Sequence, residues 1–208
     1  MRGPSWPAPG WRGLWLNRTP AVLGWGGGSS SAMSRWWLGP IGVAVLLGGG
    51  CSAEPVDLIN HHRWSVVGPD EDPWAEERPS DVLCPAEAIY VEGETPDTEV
   101  LEIDTGACNY VTLMQPALSS VDVQDGIVMS LWHSTLLSEE TAEAHVAIRL
   151  GTQLLWEKRV PIPSPNVAFN ERLSAPIALN PGDPIYLHLH NHGSNTWNFY
   201  ELRADGKP

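Results

Sequence analysis

The chain has 208 residues, with 12 basic and 25 acidic side chains and a net charge of −13, which allows one domain plus targeting segments. Every acid follows Cys51, the stretch before it carries only Arg2, Arg12, Arg18 and Arg35, and the remainder has 8 basic residues against 25 acidic. So acidic a body excludes nucleic acid as a partner, because phosphate binding needs clustered Lys and Arg to release counterions; it also argues against adsorption on anionic lipid headgroups.

Residues 1–32 hold Trp6, Trp11, Trp15 and Trp25 among Gly, Pro and Ser, with no helical or strand period. They read as an upstream extension with translation beginning at Met33, or else as a disordered, unusually long leader. From Met33 the chain runs Met-Ser-Arg-Trp-Trp, then an apolar stretch from Leu38 to Leu47, then Gly48-Gly49-Gly50-Cys51. A bilayer span needs about 20 apolar residues, so this shorter stretch, interrupted by Pro40 and Gly42, reads as the hydrophobic region of a signal peptide over 33–50.

Met33 to Cys51 resembles the bacterial lipoprotein signal peptide, whose lipobox ends in a cysteine. Gly50 suits the small residue before that cysteine, whereas Gly48 stands where the family usually has Leu. The resemblance implies cleavage before Cys51, lipidation of its thiol, and a lipid-anchored protein on the periplasmic or cell-surface side of a membrane. The rival is plain secretion with cleavage after Ala53. If Cys51 carries the lipid, Cys84 and Cys108 are left to pair in an oxidising compartment.

Residues 51–80 read as an acidic tether. Pro55, Pro69, Pro73, Pro79 and seven acids leave little to bury, and such a run stays extended and solvated. Leu58, Ile59, Trp64, Val66 and Val67 are the exception, a first strand able to dock on the domain. His61-His62 reads as a solvated pair, since adjacent side chains on an extended chain point apart.

From Asp81 to Pro208 apolar residues recur with period two, and turns punctuate them. This is the pattern of an all-β, antiparallel two-sheet sandwich of jelly-roll type, with about eight to ten strands. Ala86 to Val91, Val100 to Asp104 and Tyr110 to Met114 read as strands. Asp125-Gly126 reads as a hairpin turn joining Val121–Val123 to Ile127–His133. Gly151-Thr152 reads as a type II′ turn joining Ala144–Leu150 to Gln153–Val160, and Pro184–His192 is expected to pair with Asn195–Leu202. The run Gly182-Asp183-Pro184-Ile185-Tyr186-Leu187 is loosely similar to the penultimate strand of galactose-binding-like and carbohydrate-binding jelly rolls.

One constellation stands out, His188-Leu189-His190-Asn191-His192. Side chains at i and i+2 on a strand share a face about 6.5–7 Å apart, so the three imidazoles line one surface, and histidines so spaced can chelate Zn²⁺ or Cu²⁺. Gly182 to His190 fits the opening of a cupin motif, but Ser194 and Asn195 stand where its glutamate belongs. The stretch also resembles the copper-binding strand of copper–zinc superoxide dismutases, without their later histidines; His133 and His145 lie upstream and could approach it in space. Three readings stay open: a structural or solvated face, a metal site at His188, His190 and His192, and a glycan or protein ligand surface using Tyr186, Trp197 and Tyr200, with Asn198 beside them. Trp132 and Trp156, mid-strand, read as core. No Gly-x-Ser-x-Gly elbow, phosphate loop or CxxC is present, so no catalytic motif is complete. The expectation is a non-enzymatic, cofactor-free binding or structural lipoprotein, the alternative a zinc- or copper-binding sandwich serving metal delivery or redox.

Overall fold

The computed structural model describes residues 54–206. The extension over 1–32, the signal peptide over 33–50 and the lipidated Cys51 lie outside the described residues. Within them are eleven strands: β1 (Val56–Asp57), β2 (Ser65–Val66), β3 (Ile89–Glu92), β4 (Val100–Asp104), β5 (Tyr110–Pro116), β6 (Gly126–His133), β7 (Ala142–Leu150), β8 (Gln153–Ile162), β9 (Val167–Ser174), β10 (Pro184–Asn191) and β11 (Thr196–Gly206).

All the ladders are antiparallel and form two sheets. Sheet A has the order β3-β4-β11-β6-β9, with β1 also on β11, and sheet B has the order β2-β5-β10-β7-β8. Alternation sends Leu101, Ile103, Met129, Leu131, Trp197 and Phe199 of sheet A against Val111, Leu113, Val146, Ile148, Leu187 and Leu189 of sheet B, all of them buried. The gap left between the facing layers holds only about 10 Å³, the close packing of a protein interior. Cys84 and Cys108 are joined by a disulfide, as the cysteine count implied. Gly151-Thr152 makes the expected two-residue hairpin between β7 and β8, with a positive φ of 54° at Gly151.

Two expected hairpins are replaced by sheet crossings. Val121 bridges Leu179 rather than β6. Asp125 Oδ2 accepts the Asp122 N–H at 2.9 Å and Gln124 takes a φ of 70°, so this turn delivers the chain into β6 between β9 and β11. An Asp-Gly pair marks a turn without saying that its flanks pair with each other. Likewise β10 lies in sheet B and β11 in sheet A, so Leu187 and Leu189 meet Trp197 and Phe199 across the core. At this crossing a Cβ on Gly193 would stand 2.8 Å from the Leu137 carbonyl oxygen, so only glycine passes without displacing backbone. The strand expected from Ala86 begins at Ile89, after a helical turn over Ala86–Ala88.

Residues 54–80, read above as a tether, are laid on the sandwich as a strap. β1 pairs with β11 and β2 with β5, while Leu58, Val67, Asp72 and Trp74 are buried. The acid count conceals this because one of the seven acids is a structural hub. Asp72 accepts hydrogen bonds from the Thr112 hydroxyl at 2.8 Å and the Trp74 N–H at 3.0 Å through Oδ1, and from the Tyr110 hydroxyl at 2.7 Å and Arg78 at 3.2 Å through Oδ2. The strap therefore covers the outer face of sheet B, where His145, Ala147 and His188 are buried although they point away from the core.

Candidate functional site

The outer face of sheet A is open and carries a groove of about 650 Å³. Register places Trp132 opposite Ala168, Ser130 opposite both Asn170 and Glu201, and these side chains line its floor. A bulge in β11 between Phe199 and Glu201 inserts Tyr200 as an extra residue, and bulges re-aim side chains in this way. Tyr200, 46% exposed, forms part of the wall. His61 pins the bulge, donating from Nε2 to the Tyr200 carbonyl at 2.9 Å, and His62 reaches Glu99 at 3.2 Å. The expected solvated pair on an extended chain is instead a helical turn over His61–Arg63, with His61 half-buried and only His62 of the two exposed. The Ser130 hydroxyl donates to Asn170 Oδ1 at 2.6 Å, and Arg203 approaches Glu201 at 3.5 Å. The groove thus offers a tryptophan and a tyrosine among hydroxyl, amide and carboxylate groups.

The expected ligand surface of Tyr186, Trp197 and Tyr200 is not one surface. Trp197 is core, 2% exposed, with its indole N–H donating to Asn191 Oδ1 at 3.3 Å and its ring 4.6 Å from that of His133. Tyr186 stands on the outer face of sheet B opposite Arg149. Only Tyr200 of the three lines the groove, and its aromatic companion there is Trp132, which the sequence pattern assigned to the core. Trp156 is half-buried against Phe169, with ring centroids 5.4 Å apart.

The histidine strand is also redistributed. His188 is fully buried, stacked on Trp74 with ring centroids 4.6 Å apart and its Nδ1 2.9 Å from the Thr112 hydroxyl. His190 is half-buried, and His192, beyond the end of β10, is exposed. The expected triad therefore does not share one environment, although the His190 and His192 rings lie 4.5 Å apart. Instead His145 of β7 comes beside His188, with ring centroids 5.2 Å apart, and its nitrogens lie 3.0 Å from Glu77 Oε2 and 3.3 Å from Glu157 Oε2. His133 stays apart, on the inner face of sheet A beside Trp197.

Burial pushes the His188 imidazole down to about 2, and nearby His145, His190 and Arg159 act in the same direction. Burial likewise lowers His133, partly offset by its bond to the Ser134 carbonyl. Burial alone would raise the Glu77 carboxyl, but His145 and Arg159 outweigh it and hold it below the ordinary range. An unfolded histidine takes up its proton near pH 6.5, whereas folded His188 refuses it. The stability tied to His188 is thus whole above pH 6.5 and is lost as pH falls below that value. Between pH 7 and pH 5 this amounts to about 2 kcal/mol. Urea unfolding in the presence of chelator should show a decline at least this large, and His188→Asn should make it shallower by about that amount, His133 keeping its own share; an unchanged slope in the variant would assign the decline elsewhere.

No protein-family model matches the chain, and no curated protein matches it. Among solved structures the chain is similar to the arabinose-bound α-L-arabinofuranosidase MgGH51, at 11% identity and a TM-score of 0.41, over 74% of this chain and 27% of that one. It therefore spans about a quarter of that enzyme's length. It is also similar to a carbohydrate-binding module, CBM28, specific for non-crystalline cellulose, at 8% identity and a TM-score of 0.41, over 68% and 96% of the two chains. A third is the C-terminal CBM6 of LamC from Zobellia galactanivorans, at 12% identity and a TM-score of 0.34, over 56% and 87%. Likenesses this distant decide neither fold nor ligand, and the sandwich rests on its own ladders.

Proposed function

We propose that this is an exported, non-catalytic binding protein that takes a saccharide in the groove of sheet A and is held at a membrane by a lipid on Cys51. The observation that carries the ligand class is the pairing of Trp132 and Tyr200 with Ser130, Asn170 and Glu201 around one groove of about 650 Å³. Sugar rings have apolar C–H faces and a rim of hydroxyls, so they stack on aromatic rings and exchange hydrogen bonds with amides and carboxylates. A site of this size also lies in the range of small-ligand pockets, about 300–1,000 Å³. The acidic body speaks against nucleic acid as the occupant.

Glycan-array screening followed by calorimetry on the best hit tests the reading. Trp132→Ala and Tyr200→Ala should each weaken binding about tenfold or more, as central aromatic anchors do, while Tyr186→Ala leaves it unchanged. Absence of any glycan hit, or full binding by both groove variants, would refute the saccharide reading. The anchor is tested separately: incorporation of labelled fatty acid in cells should vanish in Cys51→Ala.

A further inference from the structure

Beneath the strap, on the opposite sheet from the groove, the hydrogen bonds determine where the protons of His188 reside. The Asp72 carboxylate only accepts, and the Thr112 hydroxyl gives it its single proton at 2.8 Å. The Thr112 oxygen can then only accept from His188, 2.9 Å away, so the proton of the neutral imidazole sits on Nδ1 and Nε2 presents a bare lone pair. That nitrogen is buried and has no hydrogen-bond partner among the described residues, on a side chain that is 0% exposed. A carboxylate that orients a histidine through its other ring nitrogen is the usual support of a metal ligand; here Thr112 relays it.

The surroundings supply further donors. One ligand atom from each of Glu77, His145 and His188 lies within 4.8 Å of the other two. His145 Nδ1 and Glu77 Oε2 are 3.0 Å apart, close to the separation of about 3.3 Å that neighbouring ligands keep around an ion whose bonds are about 2.0–2.2 Å. The balance of charge favours a cation there as well: Arg159 already bonds both Glu77 oxygens, at 3.1 and 3.2 Å, but the three carboxylates of Glu77, Glu143 and Glu157 outnumber it.

We propose that Glu77, His145 and His188 bind one divalent transition-metal ion of the zinc type, with a fourth position left to solvent. Two imidazoles and a carboxylate are a zinc donor set. The ligands come from three places, Glu77 from the strap, His145 from β7 and His188 from β10, so the ion clips the strap to sheet B. His190 and His192 are not part of the site.

Zinc chloride alone, titrated calorimetrically into the chelator-stripped protein, tests this. The expected result is one zinc per chain with an upward shift in melting temperature. Glu77→Gln and His188→Asn should each weaken binding by at least about tenfold; asparagine keeps an amide N–H near the Nδ1 position for Thr112 while removing Nε2. The double variant His190→Asn/His192→Asn should bind as the wild type does. Cobalt(II) in place of zinc should give visible absorption bands that Glu77→Gln abolishes. No zinc uptake at micromolar metal overturns the proposal, as does wild-type binding by Glu77→Gln, in which the shape of a partly exposed side chain is kept, or loss of binding in the double variant.

Discussion

Replacing Asp72 with alanine is expected to cost about 3–5 kcal/mol of folding stability, the loss seen when one member of a buried ion pair is removed. Its carboxylate is fully buried and receives bonds from Thr112, Trp74, Tyr110 and Arg78. Alanine would leave the Thr112 hydroxyl and the Trp74 N–H beneath the strap without this acceptor, and Arg78, packed over the Tyr110 ring at 5.1 Å, without its counter-charge; the Tyr110 hydroxyl would keep the Trp74 carbonyl at 2.9 Å. Unsatisfied buried donors lose their hydration with nothing in exchange. Asp72→Asn should fall between wild type and alanine, since it keeps one acceptor oxygen and discards the charge. Guanidinium unfolding gives the magnitude, and hydrogen exchange should place the earliest loss of protection in residues 68–80. A loss under about 1 kcal/mol would mean that Trp74 and Val67 hold the strap unaided.

Removing the Cys84–Cys108 disulfide as a Cys84→Ala/Cys108→Ala pair should cost about 3 kcal/mol. The bridge spans a sequence separation of 24, and cross-linking a loop of that length withdraws chain entropy from the unfolded state. It also joins the segment before β3 to the end of the β4–β5 connection, where Cys108 is buried and Asn109 takes the Leu83 N–H at 2.8 Å. The expected signature is a lower denaturation midpoint with a steeper slope, because the freed unfolded chain exposes more surface. An unchanged midpoint under reducing conditions, with the thiols shown to be free, would contradict it.

The sandwich itself was legible from alternation: β4 runs over Val100–Asp104 as expected, and the β7–β8 hairpin turns at Gly151-Thr152. What alternation could not convey was which sheet a strand joins, since β10 and β11 would read identically as a hairpin or as opposing layers. Ser130 and Ser134 share the face of Trp132, but His133, polar as well, turns into the core, so polarity marked both sides of this strand, and Trp132 read as core while Trp197, beside Asn195 and Asn198, read as surface. The bulge at Tyr200 shifts the phase of β11 midway and left no mark in composition. The histidine cluster was half visible. His188 stood out, but Glu77 lay in a segment whose proline and acid content masked its role, and His145 meets β10 only through sheet pairing.

The strap has a practical corollary for anyone delimiting this domain. Composition changes near residue 81, yet a polypeptide begun there would lay bare Tyr110, Ala147 and His188 and strip β2 from β5. The Thr112–Met114 stretch of β5, which β2 and Val67 now pair, would then be added to an unpaired sheet margin, inviting strand-to-strand association between molecules. The smallest fragment that stays soluble should therefore begin before Val56, well upstream of the point where the sequence begins to look folded.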